Sequence, residues 1–203
     1  MSSRVSERTD LTDAARGLRR RLAEANRIDH AVYVAVATTP TPLLDRAMRR
    51  LSEAANYSRL WIASSVLLGA TAGPRGRLAA KSGLASVAAT SAVANLIIKP
   101  VGKRRRPDRG GENVPPERQI AMPASRSFPS GHAASAFAFA SATGRVLPWA
   151  GVPLRFLAAF VAYSRVHTGL HYPGDAIAGA VGGAVIADLV TARVIRGQTS
   201  CRG

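Results

Sequence analysis

SFPSGHAASAFAFASATG, residues 127–144, decides the reading of this chain, because it passes from a tight polar start into a helix that carries no formal charge. Pro129-Ser130-Gly131 is a helix start, with Ser130 placed to cap the first amide groups and the positive end of the helix dipole pointing outward. A helix N-terminus with free N–H groups is an anion site. His132 stands on the first turn, where it could donate a proton to the leaving oxygen of a bound phosphate. A plain N-cap role for Ser130 is expected in addition. Beyond His132 only Ala, Ser, Phe, Thr and Gly follow, so the helix has no face built for water.

Four more runs share this character: Leu60 to Gly73, Ser82 to Ile98, Val146 to Ser164 broken only by Arg155, and Ala176 to Ala192 broken only by Asp188. A membrane span needs roughly 17–25 predominantly apolar residues. The four later runs reach that length marginally, and Leu60 to Gly73 does so only if Tyr57 and Trp61 anchor its interfacial end. A soluble Ala-rich bundle is the competing reading, but it would show a charged face at helical spacing, and these runs lack one. The expectation is therefore an all-α integral membrane bundle of about five to six transmembrane helices. Helices rich in Ala, Gly and Ser insert weakly but pack closely, since small residues let backbones approach. Ala180, Gly182, Gly183 and Ala187 would give the last helix a flat face of that kind.

The flanks divide differently. Residues 1–28 read as a polar tail with no apolar stretch long enough for a signal-peptide core. Residues 29–55 place Leu44, Met48 and Leu51 opposite Arg46, Arg49 and Arg50, the pattern of an amphipathic segment lying in the membrane interface; a helix packed on a soluble core would look the same. The bundle proper then covers 56–197, with a short tail at 198–203.

Composition excludes several classes. With 203 residues the chain has room for about one core, and 47% hydrophobic residues exclude a disordered polycation. The net charge of +16 comes from 28 Lys+Arg against 12 Asp+Glu. Only Lys81, Lys99 and Lys103 are lysines, an Arg bias that GC-rich coding explains as well as any chemistry, so the Arg count alone does not argue for nucleic acid. With 2 Trp, 4 Tyr and 5 Phe and no basic-aromatic interleaving, the chain offers no stacking platform for bases. Nucleic acid is not an expected partner. The single cysteine, Cys201, excludes a disulfide framework and a Cys-based zinc site.

Two further clusters carry chemistry. Lys99-Pro-Val-Gly-Lys-Arg-Arg-Arg106-Pro107 opens a basic loop that runs through Asp108 and Arg109 to a Gly/Pro/Glu-rich stretch. Taken alone it is a solvated or headgroup-attracting surface. Ser164-Arg165-Val-His167-Thr-Gly-Leu-His171-Tyr-Pro-Gly-Asp175 lies between the last two apolar runs. A Tyr-Pro-Gly turn separates His171 from Asp175, so the carboxylate at the next helix start can accept a hydrogen bond from the imidazole. That pairing fixes the tautomer and stabilises the cation formed when histidine acts as a nucleophile. Asp175 and Asp188 are the only acids after Glu117. No Asp/Glu cluster suited to a divalent ion is visible, so no metal and no cofactor are expected. His167 reads as structural, and His30 is too remote in sequence to place.

Together, Lys99 with six intervening residues before Arg106-Pro107, the Pro129-Ser130-Gly131-His132 run, and Ser164-Arg165, His171 and Asp175 at their spacing resemble the signature of the type 2 phosphatidic acid phosphatase (PAP2) superfamily, over roughly residues 55–195. The resemblance implies that Lys99, Arg106 and Arg165 bind phosphate oxygens and that Ser130 with the Gly131 amide completes the cradle. It implies further that His171 attacks phosphorus, Asp175 supports it and His132 protonates the leaving group, without a metal.

The implied activity is a metal-independent lipid phosphatase working through a phosphohistidine. Its substrate would be a polyprenyl phosphate or diphosphate, a phosphatidic acid, a phosphatidylglycerophosphate or decaprenylphosphoryl-phosphoribose phosphate. Alternating helices would bring the loops 99–129 and 164–175 to the same membrane side. The Arg and Lys residues of the opposite side favour a site facing outward from a bacterial plasma membrane. A vanadate-dependent haloperoxidase within the same resemblance, and a non-catalytic anionic-lipid or nucleic-acid binder, are the alternatives; oligomeric state is left open.

Overall fold

The structure, a computed structural model, describes residues 2–200, with side chains described for residues 13–197. The expected tail at 198–203, with Cys201, lies outside the described side chains. Among the described residues every regular element is helical.

The N-terminal part departs from the sequence reading in its boundaries. A long helix, α1 (Ser2–Thr38), spans the expected polar tail and enters the expected interfacial segment, and α2 (Pro42–Ala54) follows after a break. Pro40 and Pro42 supply no amide hydrogen and disfavour helix in the residues before them, so residues 29–55 form parts of two helices. The amphipathic pattern belongs to α2, which buries Asp45, Met48 and Ser52 and turns Arg46, Arg49 and Arg50 outward. A 3-10 turn, Asn56–Ser58, then reverses the chain, with Tyr57 and Ser58 at φ 55 and 57.

The bundle follows: α3 (Arg59–Thr71), α4 (Gly73–Ala92), a π-helical turn Val93–Ile98, α5 (Lys99–Val101), α6 (Gly131–Val146), α7 (Pro148–His167) and α8 (Pro173–Ser200). Helix α6 is the hub, packed against α4, α7 and α8, with α3 on α4 and α2 on α7. Two helical runs among the described residues are long and apolar enough to cross a membrane, Gly73–Val101 and Pro173–Gly197. The other apolar runs give shorter rods. Residues 127–130 are spent on the turn before α6, and the 13 residues of α3 reach only about 20 Å at 1.5 Å per residue.

Side chains are distributed inside out relative to a water-soluble core. The interior of α8 is a column of small residues, Gly179, Gly183 and Ala187, four residues apart and buried. A Cβ on Gly183 would collide with the Ala134 carbonyl, and one on Gly179 with the Ser130 carbonyl. Of the flat face predicted through Ala180, Gly182, Gly183 and Ala187, Gly183 and Ala187 lie on this column, while Gly179 takes the place of Ala180 and Gly182, since a column four apart aims at one neighbour. The outside of the same helix carries Ile177, Val181, Val185 and Leu189, each more than half exposed, and α7 exposes Trp149, Val152, Phe156 and Phe160. Each such side chain gives up about 1.5–3 kcal/mol of burial in water. Facing lipid, it gives up none.

A large-residue core remains between α3, α4, α6 and α7, where Trp61 meets Phe139 with ring centroids 5.3 Å apart. At the opposite end of the bundle from the Lys99 and His171 loops, Arg145 Nε pairs with Asp188 Oδ1 at 2.7 Å, both half exposed. Asp188, one of the two late acids, therefore ties α6 to α8 and belongs to no interior cluster.

Candidate active site

Helix α6 begins where its sequence says it must. Ser130 is the N-cap, its side chain accepting from the Ala133 amide at 3.4 Å, and its own amide donates to the Asp175 carbonyl at 2.9 Å. That last bond ties the start of α6 to the start of α8. Ser130 is fully buried and used as a cap. Gly131, by contrast, lines an open cavity of about 200 Å³ with His132, Lys99, Asn95 and Tyr57. The π turn before Lys99 widens the helix at this point, and Lys99 Nζ donates to Asn95 Oδ1 at 3.0 Å. Wide turns of this kind are frequent where a helix serves a functional site.

His132 is shared with a second cavity of about 490 Å³, lined also by Arg165, Asn56, Tyr57 and Met122. Its Nε2 is 2.9 Å from Asn56 Oδ1, which selects the tautomer that carries a proton there. Arg165, on the last turn of α7, is 2% exposed and donates through Nη1 to the Ser52 carbonyl at 3.1 Å and to Ser52 Oγ at 2.6 Å. Its Nε is buried with no hydrogen-bond partner among the described residues. None of Lys99, Arg106 and Arg165 is in an ion pair among those residues. A buried guanidinium without a counter-charge is costly, and an anionic ligand at this position would remove the cost.

After α7 the chain turns through Gly169, whose φ of 68 suits glycine, and Arg109 Nε holds the Gly169 carbonyl at 3.2 Å. This delivers His171, 2% exposed, into the turn two residues before α8. Arg106 Nη1 lies 3.1 Å from His171 Nε2 and donates to the Leu170 carbonyl at 2.8 Å, while its Nε donates to the Ser125 carbonyl at 2.8 Å. With Arg106 donating to Nε2, the imidazole proton resides on Nδ1. Nδ1 faces Asp175 Oδ2 at 3.7 Å and Ser127 Oγ at 3.5 Å. The carboxylate is itself held: Ser127 Oγ donates to Oδ2, the Tyr172 amide donates to Oδ2 at 3.0 Å, and Arg104 Nη1 donates to Oδ1 at 2.9 Å. Burial, with the nearby Arg106 and Arg165 charges, outweighs the Asp175 contact and holds the His171 imidazole down at about 4. It is neutral at physiological pH, with an unprotonated Nε2. Burial likewise lowers the Arg106 guanidinium from its ordinary value.

All eight sequence-predicted residues therefore gather at one end of the bundle: Lys99, Arg106, Ser130, Gly131, His132, Arg165, His171 and Asp175. Ser130 is the cap the sequence leads one to expect, and His171 alone sits in a manner the sequence did not suggest, covered by Arg106. Four contributors carried no such expectation. Ser127 and Arg104 hold Asp175, Asn56 holds His132 and Ser52 holds Arg165. Arg104 looks the same as its neighbours Lys103 and Arg105 in the sequence, and Ser52 and Asn56 reach the site across 113 and 76 residues. His167 is 1% exposed, and its Nε2 meets Asp45 Oδ1 at 3.0 Å, where Arg118 Nε also pairs at 2.8 Å. That buried cluster joins α2, α7 and the 116–118 turn, away from both cavities that His132 lines. No group of three or more His, Cys, Asp or Glu suited to a metal ion forms among the described residues.

Residues 80–197 match the PAP2 superfamily. The chain is 37% identical over 172 residues to decaprenylphosphoryl-5-phosphoribose phosphatase of Mycobacterium tuberculosis, covering 82% of this chain and 90% of that protein. It is 35% identical over 166 residues to the protein of the same name from Mycolicibacterium smegmatis, covering 78% and 84%. Among solved structures, the transmembrane PAP2-type phosphatidylglycerolphosphate phosphatase of Bacillus subtilis superposes with a TM-score of 0.64 at 22% identity over 85% of this chain and 87% of that one. Aquifex aeolicus LpxE superposes with a TM-score of 0.61 at 21% identity over 79% and 92%. With its three motifs gathered at one site and its sequence matched over most of its length, the chain belongs to the PAP2 superfamily and is a phosphatase of that family.

Proposed function

We propose that this protein is an integral membrane lipid phosphatase that hydrolyses a terminal phosphate from a lipid headgroup through a phosphohistidine on His171, without a metal ion. One observation carries the reading: Lys99, Arg106 and Arg165, three cations in no ion pair among the described residues, surround a helix N-terminus beside a neutral histidine backed by a buried carboxylate. Phosphoryl transfer is mostly positioning and charge stabilisation, which such a group supplies.

In this account the incoming phosphate draws Arg106 off His171 Nε2 onto its own oxygens, while Lys99, Arg165 and the Gly131 amide take the others. His171 Nε2 forms a bond to phosphorus as the bond to the lipid oxygen breaks. His132, made an imidazolium by the acidic proton that a phosphate monoanion carries into the site, passes a proton to that oxygen and returns to neutral imidazole. Asp175 stabilises the positive imidazole through Nδ1–H, closing the 3.7 Å separation. Water then gives a proton to His132 and attacks phosphorus, the N–P bond breaks, and inorganic phosphate leaves with His171 neutral again.

The names of the relatives favour a polyprenylphosphoryl sugar phosphate among lipid substrates. The apolar outer faces of α7 and α8 support a bundle that holds the lipid tail in the bilayer while the headgroup enters the site, which we assign to the outer side of the plasma membrane. The test is phosphate release by the detergent-purified protein in EDTA, against lipid phosphates including a polyprenylphosphoryl phosphoribose and a soluble monoester. Release from one lipid class supports the reading; release that needs added magnesium contradicts the metal-free form of it.

A further inference from the structure

The catalytic pair is connected to a helix that the family signature does not include. Asp29, on α1, accepts a hydrogen bond from the Gly174 amide through Oδ1 at 2.6 Å and pairs through Oδ2 with Arg104 Nη2. Asn26 Oδ1, one turn earlier, accepts from the same nitrogen at 3.1 Å. Through its other nitrogen Arg104 reaches Asp175 Oδ1 at 2.9 Å. Its guanidinium lies 4.2 Å from the Tyr172 ring centroid, and its carbonyl accepts the Ser127 amide at 3.1 Å. Tyr172 is in turn packed edge-on by Tyr33 of α1, centroids 5.3 Å apart. Arg104 thus stands between two carboxylates, one catalytic and one supplied from 75 residues away.

We propose that Asp29 is a positioning residue for His171: by neutralising Arg104 it sets how much of the Asp175 charge reaches the imidazole. The inference rests on the reading of His171 and Asp175 as the reacting pair. The charges of Asp29, Arg104 and Asp175 alternate in sign and end on the neutral His171, which turns positive as it reacts; each link is a direct contact or, at the last, the 3.7 Å approach. Without Asp29 the Arg104 cation acts on Asp175 uncompensated and weakens its support of a positive imidazole. Without Arg104, the two carboxylates act together and strengthen it. The other groups that face His171 are Arg106 from the basic loop, Arg165 from α7 and His132 from α6, and neither substitution changes them.

Opposite signs distinguish this role from simple docking of α1, whose loss would harm the site in the same direction for both variants. The experiment is titration of the His171 imidazole by nitrogen-15 NMR in detergent-solubilised protein, with its resonance identified by loss in His171→Gln. Asp29→Asn preserves the shape and an acceptor for the Gly174 amide. It is expected to move the His171 midpoint down, Arg104→Gln to move it up, and Asp29→Glu to restore the wild-type value. Kinetics on whichever lipid phosphate is hydrolysed give the second readout. Asp29→Asn should lower kcat roughly three- to thirtyfold, the range of a contacting charge pair, with KM changed less than twofold.

Shifts in the same direction for both variants, or no shift in either, overturn the proposal. If Asp29→Asn does not fold, Asp29→Ser removes the same charge, a downward shift supporting the proposal and an upward or absent one overturning it. The titration needs no substrate, so absence of turnover in the wild type would refute the phosphatase reading while leaving the Asp29 coupling separately measured.

Discussion

His171 Nε2 and Arg106 Nη1 lie 3.1 Å apart. The nitrogen assigned to attack phosphorus is thus in contact with the guanidinium assigned to bind it. One contact does two things: it fixes the imidazole tautomer with its proton toward Asp175, and it keeps a donor fork where phosphate oxygens arrive. Arginine suits the second role because its planar donors match two oxygens at once. Arg106→Lys is expected to raise KM at least tenfold and to lower kcat, since a point charge cannot reproduce the fork. Steady-state kinetics would check this, and unchanged KM would contradict it.

The His132–Asn56 contact predicts a dependence on the leaving group. His132→Ala should slow alkyl phosphates by about 10²–10⁴-fold, the usual worth of a positioned general acid, and aryl phosphates with good leaving groups far less. Comparing the two classes on the purified variant tests it; equal losses would remove His132 from the protonation step.

Arg165 reaches the site from a fully buried position held by Ser52 at 2.6 Å. Ser52→Ala removes one acceptor from a charged donor, a loss of about 1.5–3 kcal/mol where the donor finds no substitute. The expected result is a KM raised roughly tenfold or more with the substrate concentration dependence otherwise unchanged. A variant with wild-type KM would show that Arg165 is oriented without Ser52.

The state of His171 gives a pH prediction. Burial lowers its affinity for a proton, so the imidazole is neutral above about 4 and becomes protonated, losing its lone pair, only as pH falls through that value. An ordinary histidine would lose it near 6.5. Titration of the substrate-free wild type should therefore give a midpoint nearer 4 than 6.5. A midpoint at the ordinary value would mean that the site is open to water.

Packing of α8 on α6 supplies a stability prediction. Gly183→Val places branched carbon against the Ala134 carbonyl, and overpacking of this kind costs about 1–3 kcal/mol. A lowered melting temperature in detergent is expected, with Gly182→Ala, where nothing lies within 4 Å, close to wild type.

Much of the site was legible because its residues sit in short local runs whose chemistry is strict. Ser130 announces a cap by standing before Gly131, and His171 and Asp175 are joined by one turn. What escaped the sequence is what the fold brings from afar. Asp29, Ser52 and Asn56 have no local pattern that separates them from surface polar residues, and their partners are set by how α1 and α2 lie over the bundle. The break between α1 and α2 was written in Pro40 and Pro42 but was masked by the continuous hydrophobic pattern across them. The α8 interface was placed correctly at Gly183 and Ala187 but missed Gly179, because alternative small-residue faces exist in Ala176 to Ala192, and only the Ser130 and Ala134 carbonyls select the column through Gly179 and Gly183.

The central claim is that His171 becomes covalently phosphorylated. Rapid quenching of the purified protein in EDTA with a lipid phosphate labelled in its terminal phosphate, followed by denaturing electrophoresis, measures this most directly. The account predicts a labelled protein band that is stable to alkali, lost in acid and missing from His171→Ala, which also releases no phosphate. Phosphate release by His171→Ala at the wild-type rate would contradict it.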